Sequence, residues 1–150
     1  MRSKLLNDGP ERTWALIFET GDEPVSLITE FARAQGISAA RLSAIGAFSD
    51  VVLGYFDWQK KDYKRIEIHE QVEVLSLLGD IALGERGEPK LHAHAVLGKQ
   101  DGSAHGGHLL EGRVRPTLEV VLVQSPAALQ KVHDPETGLA LIRISASEAA

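Results

Sequence analysis

One stretch of the chain carries a convincing helical period, and nearly everything else reads as strand. In PVSLITEFARAQG, residues 24–36, Pro24 suits a first helical turn, Leu27, Phe31 and Ala34 or Gln35 recur every three to four residues, and Gly36 is a plausible stop. Around it lie runs rich in branched and aromatic residues, cut by Gly, Pro and Asp. They are RTWALIFE (12–19), Ala40 to Ile45, Val51 to Trp58, Tyr63 to His69, Gln71 to Ile81, Leu91 to Leu97, Gly107 to Val114 and Thr117 to Val123. Such a ratio of strands to helices, with mostly short connections, does not suit a doubly wound fold. The expected architecture is α+β: a single compact domain with a strongly curved or partly closed, mostly antiparallel sheet and one main helix.

Finer expectations follow from the same pattern. YKRIEIH alternates, so Ile66 and Ile68 face inward. The GAFSD sequence breaks the third strand region, and Pro116 marks a bend, an edge position or a bulge. SPAALQ reads as a short helical turn, followed by a DPETG turn and a terminal strand. At 150 residues the chain is the size of one domain, and a chain of this length buries roughly 68 to 70 % of its unfolded surface. No linker or repeat divides it. Residues 1–11 read as an extension, 12–144 as the domain and 145–150 as a tail.

Composition excludes some chemistry. The absence of cysteine removes disulfides and thiolate metal sites. No apolar run approaches the roughly 20 residues of a bilayer span, and the start lacks a secretory h-region, so a cytoplasmic protein with no membrane partner is expected. The formal charge of -5 offers a polyanion no general attraction. The densest basic cluster, Lys60, Lys61, Lys64 and Arg65, is interrupted by Asp62 and followed by Glu67 and Glu70, which suits a charged loop better than a DNA footprint. Phosphate-loop and nucleophile-elbow motifs are both missing. Phe48, Tyr55, Phe56 and Trp58 read as core or interface residues rather than a base-stacking platform.

The chemistry-bearing stretch is LHAHAVLGKQDGSAHGGHLLEG (91–112), with four of the six histidines. His92 and His94, two apart on a strand, share a face. Asp101-Gly102 is a hairpin turn signal. A register pairing His94 with His108 then brings His92, His94 and His108 to one side, a three-imidazole set that zinc can use. His105 has the opposite parity, although a bulge at Gly106-Gly107 could return it to the set as an alternative ligand. Two readings stand at this point: a metal or small-ligand site, and a polar cluster whose histidines bond to each other and to water. Among possible catalytic partners, Glu111 points away from the ligands on an unbulged strand, while Glu70, Glu73 and Glu119 read as solvated strand residues or ion-pair partners. Arg113 and Arg115 suit an anion or a subunit contact equally. No catalytic residue is assigned.

AIGAFSDVVLGYFD, EVLSLLGDIAL, LHAHAVLG, GGHLLEG and PTLEVVL together resemble the plants-and-prokaryotes conserved (PPC) domain in its stand-alone prokaryotic form, over about residues 12–144. The resemblance implies a homotrimer with sheet edges and apolar faces buried between subunits. It also implies a fold similar to acetolactate decarboxylase, where an HxH pair and a GGH histidine hold zinc. Carried over, the ligands are His92, His94 and His108, with His105 outside. The decarboxylase's catalytic arginine and glutamates find no assigned counterpart here, so the resemblance implies the ion and not the reaction. In plants the related domain accompanies AT-hooks in DNA-binding proteins, but no RGR-type hook is present here. The leading expectation is therefore a homotrimeric PPC-type protein with a histidine-lined metal or small-ligand site. A DNA-binding or protein-interaction regulator and a zinc-dependent enzyme for a small oxygenated substrate are the alternatives.

Overall fold

The structure, a computed structural model, describes residues 1–148; of the tail at 145–150, residues 149 and 150 lie outside the described residues. The elements in chain order are β1 (Arg2–Asn7), β2 (Thr13–Glu19), α1 (Pro24–Ala34), β3 (Ala39–Asp57), β4 (Asp62–Ile68), β5 (Val72–Leu83), β6 (Pro89–Gly98), β7 (Ala104–Gln124), β8 (Lys131–His133), β9 (Ala140–Ile142) and α2 (Ile144–Ser147). Seven strands form one antiparallel sheet in the order β1-β2-β7-β6-β5-β3-β4, and β7 also pairs with β3. That extra pairing closes β3, β5, β6 and β7 into a ring, so the sheet is partly closed as its strand density suggested. β8 and β9 form a separate hairpin, and β1 places the N-terminal extension at the edge of the sheet.

Helix α1 begins where its chemistry dictates. The Glu23 carboxylate accepts hydrogen bonds from the Val25 and Ser26 amides, and Pro24 fills the first turn. Its inward face differs by one residue from the sequence reading: Ile28, Phe31 and Ala32 are buried, whereas Leu27 is half-buried. Phe31 meets Trp14 edge to face at 5.2 Å. Leu16, Phe18, Phe48, Leu53, Leu77, Ile81, Leu97, Leu118 and Leu122 complete a single core between helix and sheet. Ile68 is buried and Ile66 packs against that core, as their alternation required.

The expected break at GAFSD is a bulge within one 19-residue strand, β3. Gly46 has φ 152°, and a Cβ there would lie 2.3 Å from the Thr117 carbonyl oxygen, so close approach of β7 requires glycine. Opposite it, the register passes from Gly46↔Leu118 to Phe48↔Val114, so β7 carries extra residues where Pro116 sits. Pro116 therefore lies in a bulge of the continuous 21-residue β7, not between two strands. SPAALQ does not form the expected helical turn. Its backbone bonds to neighbouring segments instead, with the Ser125 amide donating to the Ala39 carbonyl and the Leu129 amide to the Ser38 carbonyl. The DPETG turn and terminal strand are present, and β9 is followed by the short α2.

Candidate metal centre

Alternation along β6 buries Ala93, Ala95 and Leu97 and turns His92 and His94 to the opposite, outward face. β7 pairs with β6 in the register His94↔His108, the pairing supposed for a hairpin turning near Asp101-Gly102. The Gly102 amide donates to the Lys99 carbonyl and the Lys99 amide to the Ser103 carbonyl, closing that turn. A Cβ on Gly107 would sit 2.8 Å from the Gly54 carbonyl oxygen, so the glycine before His108 lets β7 approach β3.

One ligand-capable atom from each of His92, His94 and His108 lies within 4.8 Å of the other two. The Nε2 atoms of His92 and His94 are 3.1 Å apart, close to the roughly 3.3 Å edge that ion–nitrogen bonds of about 2.0–2.1 Å give in a tetrahedron. The His92 and His108 rings are stacked at 5.1 Å, and His94 meets His108 edge-on at 5.4 Å. His105 pairs with Leu97, is exposed and stands outside the cluster.

Asp80 is opposite His92 on β5, and its Oδ2 lies 3.1 Å from His92 Nδ1. A carboxylate there accepts the Nδ1 proton and leaves Nε2 turned to the cluster, the arrangement that orients metal-binding histidines. Lys131, on β8, is 5 % exposed and places Nζ 2.8 Å from Asp80 Oδ1 as an ion pair. Burial alone would raise the Asp80 carboxyl, but bonding from His92 and the Lys131 ammonium outweighs it and holds the group below its ordinary value. Burial, then the charges of His92, His94 and Lys131, push the His108 imidazole down to about 4. His94 is also lowered, by burial first and then by His92. Both rings are neutral at pH 7, the form that coordinates a cation. His108 Nδ1 is buried without a hydrogen-bond partner among the described residues, and a bound cation is the kind of partner such a lone pair lacks. Donor type, spacing and the orienting carboxylate fit a metal ion.

A groove of about 550 Å³ adjoins the cluster, lined by Tyr63, Leu91, His92, His108, Lys131 and the β9 side of the hairpin. The Tyr63 ring lies 4.8 Å from that of His108.

The family profile of the Plants and Prokaryotes Conserved (PCC) domain matches residues 6–126. The chain belongs to this family. The PCC-domain structure is similar to that of a PPC protein from Pyrococcus horikoshii, at 32 % identity and a TM-score of 0.82, covering 95 % of this chain and 94 % of that one. It is also similar to a metal-containing protein from Archaeoglobus fulgidus, at 36 % identity and a TM-score of 0.81, covering 95 % and 96 %. A third relative, described as a candidate DNA-binding protein from Ralstonia eutropha JMP134, has 26 % identity and a TM-score of 0.81 over 87 % and 90 %. The α-acetolactate decarboxylase of Bacillus subtilis shares the fold alone, at 11 % identity and a TM-score of 0.54, covering 85 % of this chain and 58 % of that one. No curated protein matches the sequence.

Other residues of the PCC domain singled out by sequence fall apart from the cluster. β7 advances by one extra residue between Leu109 and Glu111, so Glu111 returns to the outward face shared with His108, contrary to its unbulged parity. Its carboxylate is held by Arg65 at 2.8 Å. Glu70 pairs with Lys99, while Glu73, Glu119, Arg113 and Arg115 are exposed. Sequence reasoning missed Asp80 and Lys131. An aspartate inside the apolar run VLSLLGDIAL was a usable signal for the first; nothing in KVH marked the second.

Proposed function

We propose that this PCC-domain protein is a metal-binding homotrimer whose ion, best matched by zinc, is held by His92, His94 and His108. The observation that carries the reading is the convergence of three imidazoles within 4.8 Å, two of them neutral at pH 7, with Asp80 orienting the third. Three neutral nitrogen donors and no thiolate suit zinc and leave a coordination position for a ligand. An ion so held polarises a bound carbonyl or acidifies a bound water. The chain's own residues would set the outcome: Asp80 fixes the tautomer of His92, and the adjoining groove admits a small molecule.

Self-association is supported by the outward sheet face. Ile45, Leu75, Leu78, Val96 and Val121 are 62, 56, 62, 43 and 45 % exposed on neighbouring strands, more contiguous apolar surface than a lone sheet face usually carries. A ring of three copies would cover it by repeating one heterologous contact. DNA association comes from the description of the Ralstonia relative, and the charges here do not favour it. Lys60 faces Asp57 at 3.9 Å, Lys61 stacks on Trp58 and Arg65 pairs with Glu111.

Elemental analysis of the purified protein tests the main reading. About one ion per chain is expected, lost in His92→Ala, His94→Ala and His108→Ala and kept in His105→Ala. No stoichiometric ion after zinc loading and desalting would remove the reading, and sedimentation velocity tests the trimer.

A further inference from the structure

The groove beside the histidines has a wall of a different character from its floor. Its floor is polar, built from His92, His108, Asp80 and Lys131; its wall is the run Leu139, Ala140, Leu141 and Ile142 of the β8–β9 hairpin, with Leu91 beside it. That hairpin follows the family-matched residues, which end at 126. It is held in place by the Leu83 amide donating to the Leu129 carbonyl at 2.8 Å and by the His133 amide donating to the Glu85 carboxylate at 2.9 Å. Leu141 and Ile142 remain 39 and 37 % exposed, although a hairpin's apolar residues normally find cover.

Lys131 is the feature that a purely structural hairpin does not need. Its side chain is 6 % exposed, so its ammonium has lost most of its hydration, and Asp80 is its single ion-pair partner among the described residues. An ammonium has three donors, and Asp80 shares its charge with His92. The floor is therefore able to accept one further anionic group, particularly with a cation on the histidines, and on that point the inference rests on the metal reading above. Asp80 already neutralises much of the Lys131 charge, so discrimination against a tailless anion such as inorganic phosphate falls to the apolar wall, which phosphate has no tail to cover. Lys90, at the rim, is already paired with Glu88 at 3.1 Å.

We propose that this groove binds a small monocarboxylate with a short apolar tail, its carboxylate on the Lys131 side and its tail along Leu139 to Ile142. The volume of about 550 Å³ lies within the range of small-ligand sites. Lys131 thereby discriminates for the anion and the hairpin for the tail, two separable contributions.

Calorimetric titration of zinc-loaded protein with hexanoate, hexylamine and inorganic phosphate tests this, with zinc content measured on every sample. Hexanoate is expected to bind, hexylamine not to bind, and phosphate to bind at least tenfold more weakly. Compared at equal measured zinc occupancy, Lys131→Met should lower hexanoate affinity at least tenfold, and Lys131→Arg should restore most of it. Ile142→Asp, at a position exposed enough to tolerate the change, should produce a comparable loss. No hexanoate binding, equal binding of hexylamine or phosphate, or indifference to both Lys131→Met and Ile142→Asp would overturn the proposal. The two readings fail differently. Zinc retained without hexanoate binding sinks the carboxylate groove alone, whereas Lys131-dependent hexanoate binding by a protein that holds no zinc sinks the metal site alone.

Discussion

Acidification of the metal-free protein should expose His108 as a source of instability. Its imidazole lies at about 4 in the folded chain against an ordinary 6.5. Above pH 6.5 the ring is neutral in both folded and unfolded chains and contributes no pH dependence. Between 6.5 and 4 the unfolded chain takes up a proton that the folded chain refuses, so stability falls as pH falls through that window and levels off below it. At about 1.36 kcal/mol per pH unit the ceiling is roughly 3.4 kcal/mol. The ring is only half-buried, and solvent screening reduces the expected loss to about 1–2 kcal/mol. Urea unfolding of chelator-treated protein at pH 7 and pH 4, compared with His108→Gln, isolates this contribution from the carboxylates, which titrate in both proteins. The wild type should lose about 1–2 kcal/mol more than the variant. Parallel pH profiles would refute the claim that His108 is held neutral by burial and its neighbours.

Other perturbations address other parts of the structure. Asp80→Asn removes the acceptor that fixes His92 and should weaken zinc binding roughly 10- to 100-fold, read by chelator competition; unchanged affinity would mean the carboxylate does not orient the ligand. Gly46→Ala should cost roughly 2 kcal/mol or more in urea unfolding, because the new Cβ meets the Thr117 carbonyl. Gly102→Ala, at φ 81° in open space, should cost about 1 kcal/mol, and the difference between the two is the measure of close approach. Leu78→Asp, on the exposed apolar face, should shift sedimentation toward monomer while leaving the far-UV spectrum intact. Fluorescence anisotropy with duplex DNA at physiological salt should show no binding altered by replacing Lys60, Lys61, Lys64 and Arg65, since the charges of Lys60, Lys61 and Arg65 are locally engaged.

Much of the fold was legible because its signals are local. Period-two alternation in β4 and β6 and the glycine turn at Asp101-Gly102 act within a few residues; they place the hairpin and its outward faces, and the His94↔His108 register is one pairing compatible with them. The bulges were not legible. Whether GAFSD ends a strand or kinks one depends on β5 and β7 bonding to both sides of it. The same non-local pairing returned Glu111 to the outward face. The second layer of the site was hidden for a related reason: Asp80 meets His92 only after β5 and β6 pair, and Lys131 reaches Asp80 from a hairpin 51 positions further along the chain. SPAALQ shows the complementary failure, a local helical preference overridden by backbone partners at Ser38 and Ala39.

Strand β7 runs unbroken from the turn beside the histidines to the centre of the core, carrying His108 near one end and Leu118, Val120 and Leu122 near the other. Sliding it by a single position against β6 would swing the imidazole inward and expel the leucines, since side chains alternate along the strand. An ion gripped by His108 and by two residues of the adjacent strand would thus act as a latch on that alignment. Demetallation would then loosen the interior from a distance, and a misregistered chain would betray itself by its inability to hold the ion.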